Sequence, residues 1–187
     1  MGNKKALILF SGGLDSTTVL HHALSNGYDC IALTIDYNQR HSYEIKSSQE
    51  YLKQENIDGL IFKIDLSQIG GSALTDNDLK VPMENQPGIP ITYVPARNTI
   101  FLSIASAYAE KLSIQEIFIG VNQIDYSGYP DCRPEFVDSI QNTINLGTKV
   151  GVDGNSILIN TPLINMSKKE IIRYGIEMGI DYSRTVS

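Results

Sequence analysis

Apolar residues fall along this chain in short runs separated by polar or glycine-rich punctuation. Lys5 to Phe10 (KALILF), Cys30 to Asp36 (CIALTID), Leu60 to Asp65 (LIFKID), Glu116 to Val121 (EIFIGV) and Ser156 to Asn160 (SILIN) are apolar or β-branched stretches of strand length. Runs that are continuous rather than alternating predict five strands buried on both faces. Between them the apolar positions recur at helical spacing over Ser16 to Ser25, Ser42 to Glu55, Asn98 to Leu112, Glu135 to Leu146 and Lys168 to Met178. The last of these opens on Ser167-x-x-Glu170, where each side chain can satisfy an amide of the other residue and so start a helix. Strand and helix alternate to the end. The expected fold is therefore α/β, with a mainly parallel sheet covered by helices on both faces, and the 187 residues read as one domain.

One stretch breaks the rhythm. Gly70, Gly71, Pro82, Pro87, Gly88 and Pro90 interrupt any period between Gly70 and Thr92. An irregular segment of that length inside a compact domain predicts a lid or binding loop, here running on to about residue 97.

Composition narrows the class. An apolar content of 42 % supports a sizeable core and excludes a disordered or collagen-like chain. Fifteen basic against twenty-one acidic residues give a net charge of −6, which argues against a polyanion held by diffuse attraction; no direct nucleic-acid partner is expected. No apolar run approaches the roughly eighteen residues of a membrane helix, and MGNKK leads straight into a strand pattern. The chain therefore reads as cytoplasmic, without a membrane partner. Cys30 lies in a strand pattern and Cys132 in a loop pattern, and two cysteines make neither a disulfide framework nor a metal cluster. His21 and His22 have no partner at metal-ligand spacing and read as structural.

Chemistry concentrates where the first strand meets the first helix, in LILFSGGLDSTTVLHHAL. Ser11-Gly12-Gly13 turns the chain there, so unpaired helix amides converge above the strand's carboxyl end and form an anion site. Glycines let the backbone approach phosphate oxygens, while Ser11, Ser16 and Thr17 can add hydroxyl donors. Asp15 can cap the helix or face a magnesium ion. The plain alternative is a Gly-Gly turn with Asp15 or Ser16 as an N-cap. The sequence has neither the Gly-Lys-Ser/Thr of a Walker loop nor G-x-G-x-x-G.

SGGLDS resembles the signature of the PP-loop ATP pyrophosphatase superfamily. DYNQRHSYE after the second strand, YVPARN before the third helix and GVNQIDYSGYPDCRPEF after the fourth strand are similar to the 7-cyano-7-deazaguanine synthase family, from about Lys5 to Ser187. The resemblance implies an adenine-nucleotide alpha-hydrolase-like, doubly wound sheet of order 3-2-1-4-5. It implies ATP-dependent conversion of 7-carboxy-7-deazaguanine and ammonia to the nitrile in queuosine biosynthesis, through adenylated carboxylate and amide. ATP would lie against Phe10, Ser11, Gly12, Gly13, Leu14, Asp15, Ser16, Thr17, Thr18, Val19 and Leu20, with Arg97 and Lys168 on its phosphates and Mg²⁺ as its counter-ion. Asp125, Tyr126, Tyr129, Asp131 and Arg133 would hold the base, with a carboxylate (Asp131, or failing that Asp125) on its amine-bearing edge and a tyrosine stacked on it. The family's four zinc cysteines would fall beyond Ser187, so Zn²⁺ has no assigned ligand among the 187 residues, and a homodimer is compatible with the family.

Other positions stay open. Arg97 is a phosphate or carboxylate ligand, or a solvated surface cation, with Asn98 the expected helix cap. Arg40 and His41 follow the second strand and can reach a nucleotide. Lys168 opposes the macrodipole at its helix start, which suits a ligand-facing cation; it is otherwise one of two adjacent surface lysines. Cys132 lies in the substrate loop, although amidation of an acyl adenylate needs no thiol. No general base is nominated. Two rivals remain: a tRNA-modifying PP-loop enzyme, opposed by the negative charge and the scarcity of cysteine, and a non-catalytic nucleotide-binding module, which leaves the lid and DYSGYPDCRPEF unexplained.

Overall fold

A computed structural model describes residues 4–38, 43–75, 88–122, 125 and 128–185. Five strands, β1 (Lys5–Leu9), β2 (Asp29–Asp36), β3 (Asp58–Lys63), β4 (Glu116–Phe118) and β5 (Leu158–Asn160), form one sheet in the order β3-β2-β1-β4-β5. Every pairing is parallel, with Ala6 opposite both Cys30 and Glu116. The helices are α1 (Leu14–Ser25), α2 (Tyr43–Gln54), α3 (Arg97–Leu112), α4 (Pro134–Gly147), the short α5 (Lys149–Val152) and α6 (Lys168–Glu177), with 3-10 turns at Pro130–Cys132 and Tyr182–Arg184.

Alternation along β1 divides the core. Ala6, Ile8 and Phe10 pack with Val19, Leu20 and Ala23 of α1, with Tyr51 and Leu52 of α2, and with Ile171 of α6. Leu7 and Leu9 point the other way, to Leu102 and Ala105 of α3 and Val137 and Ile140 of α4. Both faces are thus covered, as a parallel sheet requires. β3 departs from the expected double burial. It forms one edge of the sheet, and Asp58, Gly59, Ile61 and Lys63 are exposed, while Leu60 and Phe62 face the core. β4 is shorter than its apolar run because the chain leaves the ladder toward α1 at Gly120, where a Cβ would lie 3.2 Å from Ser16 N.

The histidines on α1 are structural. His21 Nε2 lies 2.7 Å from the Tyr51 hydroxyl and His22 Nδ1 lies 2.6 Å from that of Tyr174, and burial lowers both pKa values. The Ser167–Glu170 capping box is formed as its spacing predicts.

Candidate active site

The strand order reverses between β1 and β4, and at the carboxyl ends of the strands there a cavity of about 310 Å³ opens. Its walls come from the turn after β1, the end of β2, the start of α3 and the segment after β4. A larger groove of about 680 Å³ near Asp29, Glu55 and Asp58 lies at the opposite, amino ends of the strands, where ligands of such sheets do not gather.

The phosphate side is built by the turn itself. Gly12 takes a φ of +82°, and a Cβ on it would lie 3.0 Å from Ser48 Cβ, so both its backbone and its surroundings require glycine. Ser16 Oγ donates to the Gly13 carbonyl at 3.1 Å and accepts from Ser11 N at 3.2 Å, which folds the turn onto the first turn of α1. The helix begins at Leu14, two residues before the sequence pattern suggests. Its N-cap is Gly13, in extended geometry with no side-chain cap bond. Neither Asp15 nor Ser16 is therefore the cap, and the plain turn reading fails at that point.

Asp15 instead faces outward from the first turn. Both its carboxylate oxygens lie 2.9 Å from Lys168 Nζ, at the first residue of α6. Lys168 is 44 % and Asp15 23 % exposed, so the solvent-screened pair contributes about 0–1 kcal/mol. Asn122, almost fully buried, bridges two carboxylates: its Nδ2 donates to Asp15 Oδ2 at 3.2 Å and to Asp125 Oδ2 at 2.7 Å. Burial raises the Asp125 pKa, the nearby Asp15 charge adds to that, and Lys168 and Arg97 pull it back.

The opposite wall carries Arg97, Tyr37, Glu44 and Phe101. Burial pushes the Tyr37 phenol above its usual range, opposed by the hydrogen-bonded Arg97 guanidinium. Ala96, just before α3, is held at φ +54°, a left-handed conformation costly for alanine. Asn98 is not the helix cap expected from its position. It is the second residue of α3, and its backbone N–H donates to Asp131 Oδ2 at 2.9 Å while its Nδ2 donates to the Asp131 carbonyl at 3.0 Å. Asp131 is thus the cap supplied from outside the helix.

The candidate residues accordingly separate. Phe10, Ser11, Gly13, Leu14, Asp15, Ser16, Arg97 and Asp125 line the cavity. Val19 and Leu20 belong to the core, the buried Thr17 hydroxyl has no partner among the described residues, and Thr18 turns to Tyr182; none of the four lines the cavity. Asp131, 7 % exposed, accepts from the start of α3 and does not line the cavity. The Tyr129 hydroxyl lies 2.9 Å from Thr92 Oγ1 and its ring stacks on Tyr93, while Arg133 is exposed as the N-cap of α4. Tyr126, Arg40 and His41 lie outside the described residues. Cys132 does reach the cavity wall, but burial pushes its thiol up to about 12, too high for a nucleophile at neutral pH. Asn122, Tyr37 and Glu44 were missed; for the last two, the signal is position just past the carboxyl end of β2.

Residues 5–187 match the family described as queuosine biosynthesis protein QueC. The chain belongs to the QueC family. The 7-cyano-7-deazaguanine synthase of Saccharophagus degradans is 55 % identical over 188 residues, covering 100 % of this chain and 84 % of that protein. The enzyme of the same name from Cellvibrio japonicus is 53 % identical over the same share of each. Among solved structures, a predicted tRNA methyltransferase subunit from Methanocaldococcus jannaschii superposes with a TM-score of 0.60 at 19 % identity, over 93 % of this chain and 75 % of that one. The NH3-dependent NAD synthetase of Campylobacter jejuni gives 0.55 at 13 % identity, over 98 % and 68 %. These two share the fold of the QueC chain, and at such identities the likeness extends no further.

Proposed function

We propose that this chain is an ATP-dependent ligase that converts 7-carboxy-7-deazaguanine and ammonia to 7-cyano-7-deazaguanine, the activity for which its 51–55 % identical relatives are named. The observation that carries the reading is one cavity whose wall holds an uncapped helix start, the Asp15 and Asp125 carboxylates joined through Asn122, and Arg97. A triphosphate at the helix start and a carboxylate-bearing base toward Arg97 meet at the α-phosphorus.

The substrate carboxylate attacks that phosphorus and displaces pyrophosphate. Ammonia then attacks the acyl adenylate, releasing AMP and leaving the amide. The amide oxygen attacks a second ATP, displacing pyrophosphate as one N–H proton is lost, and expulsion of AMP with the remaining N–H proton leaves the nitrile. The protein's part is positioning and charge neutralisation. The amides of Gly13 to Asp15 and the Ser11 and Ser16 hydroxyls hold phosphate oxygens, Lys168 transfers from Asp15 to the phosphates, and Arg97 orients the substrate carboxylate. Asp125 accepts from the amine-bearing edge of the base.

Magnesium, which when bound neutralises phosphate charge, suits a site of one or two carboxylates completed by phosphate oxygens; Asp15 is the carboxylate that fits. Zinc finds no comparable fit, since no group of three or more His, Cys, Asp or Glu side chains able to hold a metal occurs among the described residues. In this reading the 187 residues form one ATP-binding domain. Of the lid expected at about 70 to 97, residues 76–87 lie outside the described residues; in the part that follows, Pro90 packs near Gly128, Thr92 meets Tyr129, and the chain then delivers Arg97 to the cavity wall. A thiolating tRNA enzyme fits less well, because burial pushes both Cys30 and Cys132 up to about 12. Incubation with ATP, ammonia and 7-carboxy-7-deazaguanine should yield the nitrile by mass spectrometry; ATP binding without any turnover of that base would leave only the nucleotide-binding module.

A further inference from the structure

Helices α1 and α6 are fastened by a row of polar contacts that advances along both in the same direction. Asp15 meets Lys168, Thr18 meets Ile171 through Tyr182, His22 meets Tyr174, and Ser25 lies beside Met178. The steps of three and four residues are those of one helix face, so the two helices run parallel, with Lys168 at the amino end of α6 against Asp15 of the cavity wall.

The second contact is unusual in its construction. Tyr182 follows α6, and its ring passes back across the helix at Gly175, where a Cβ would overlap the phenol oxygen. Glycine in a helix interior costs about 1 kcal/mol relative to alanine, and here it opens the notch that the ring needs. The Tyr182 hydroxyl lies 2.7 Å from Thr18 Oγ1, with the Ile171 carbonyl 3.3 Å from that hydroxyl and the Leu14 carbonyl 2.8 Å from Thr18 Oγ1, so two hydroxyl protons serve three contacts. One phenol thereby links the first turn of the phosphate helix to the first turn of the helix that bears Lys168.

The charged contact at the head of the row is half-exposed and weak, and ATP must break it to recruit Lys168. Once it is broken, the uncharged contacts are what keep α6 in register on α1. We propose that Tyr182 is a positioning residue for ATP binding, holding Lys168 within reach of the phosphates after it leaves Asp15. The inference rests on the reading of Lys168 as a phosphate ligand.

Calorimetric titration of ATP into the parent, Tyr182→Phe, Lys168→Met and the double variant separates the two. Tyr182→Phe keeps the ring in its notch and removes only the hydroxyl. It should weaken ATP about fivefold, Lys168→Met at least tenfold, and the double variant should match Lys168→Met within twofold, because Tyr182 acts through that lysine. Full additivity, or unchanged affinity in Tyr182→Phe beside a weakened Lys168→Met, overturns the positioning role alone. Unchanged affinity in Lys168→Met overturns the phosphate role of the lysine and the inference with it. Should Tyr182→Phe not fold, Thr18→Val removes the same bond from the other helix and must show the same dependence on Lys168.

Discussion

The turn after β1 and the loop after β4 face each other across one cavity, yet they are held in opposite ways. The first is self-contained: Ser11, Gly13 and Ser16 bond to one another within five residues, and Gly12 supplies the one special backbone angle. The second is held from outside. Asp131 grips Asn98 33 residues away, Tyr129 meets Thr92 37 residues away, and Asn122 reaches Asp15 across 107. A phosphate has the same shape in every ATP, so a local motif suffices to bind it. A particular base needs a wall that only the assembled fold can provide.

Removing the outside support at Asp131 should cost more than disturbing the local turn. Asp131→Ala leaves the buried Asn98 N–H unpaired and should destabilise by about 2–3 kcal/mol. That corresponds to a melting temperature lower by roughly 5–10 °C in a chain of this size. A shift under about 2 °C would remove Asp131 from its role as the cap of α3. Gly12→Ala forces alanine into a left-handed conformation against Ser48 and should cost about 1–2 kcal/mol, accompanied by at least tenfold weaker ATP binding in calorimetry. Tyr129→Phe, which deletes only the bond to Thr92, should cost about 1 kcal/mol by denaturant titration.

The smallest effect concerns Asp125 and has a distinctive sign. Burial, reinforced by Asp15, raises its folded pKa above the ordinary 3.8, so the folded chain takes up this proton at higher pH than the unfolded chain. The destabilisation is fully present above the raised value and disappears as pH falls to 3.8. The parent should therefore gain stability relative to Asp125→Asn between pH 7 and pH 4. A gap that stays constant, or moves the other way, would place Asp125 in a solvated setting.

The same contrast explains what could be read from the sequence. Strands, helices, the capping box and the turn after β1 are encoded within a few residues of themselves, so each element exists where its pattern predicts one, while bounds shift: α1 starts two residues early, β3 is Asp58–Lys63 where Leu60 to Asp65 is expected, and β4 ends at Phe118. Asn98 looks like a helix cap because asparagine before an apolar helical run usually is one, and nothing nearby reveals that the cap is Asp131. Asp125 and Asp131 share one loop without a local feature that foretells their different partners, Asn122 for the first and the start of α3 for the second. The exposure of β3 follows from its place at the sheet edge, and its apolar run resembles that of the buried β2. Gly175 marks a notch in α6 that only the return of Tyr182 explains.

In the proposed reading the wall after β4 binds the base and the turn after β1 binds the phosphates, and Asp125→Asn distinguishes the two. Calorimetry of this variant with 7-carboxy-7-deazaguanine and, separately, with ATP should show the base bound at least tenfold more weakly, a loss of about 1.4 kcal/mol or more, and ATP within threefold of the parent. Base affinity within twofold of the parent, or an equal loss for both ligands, would contradict it.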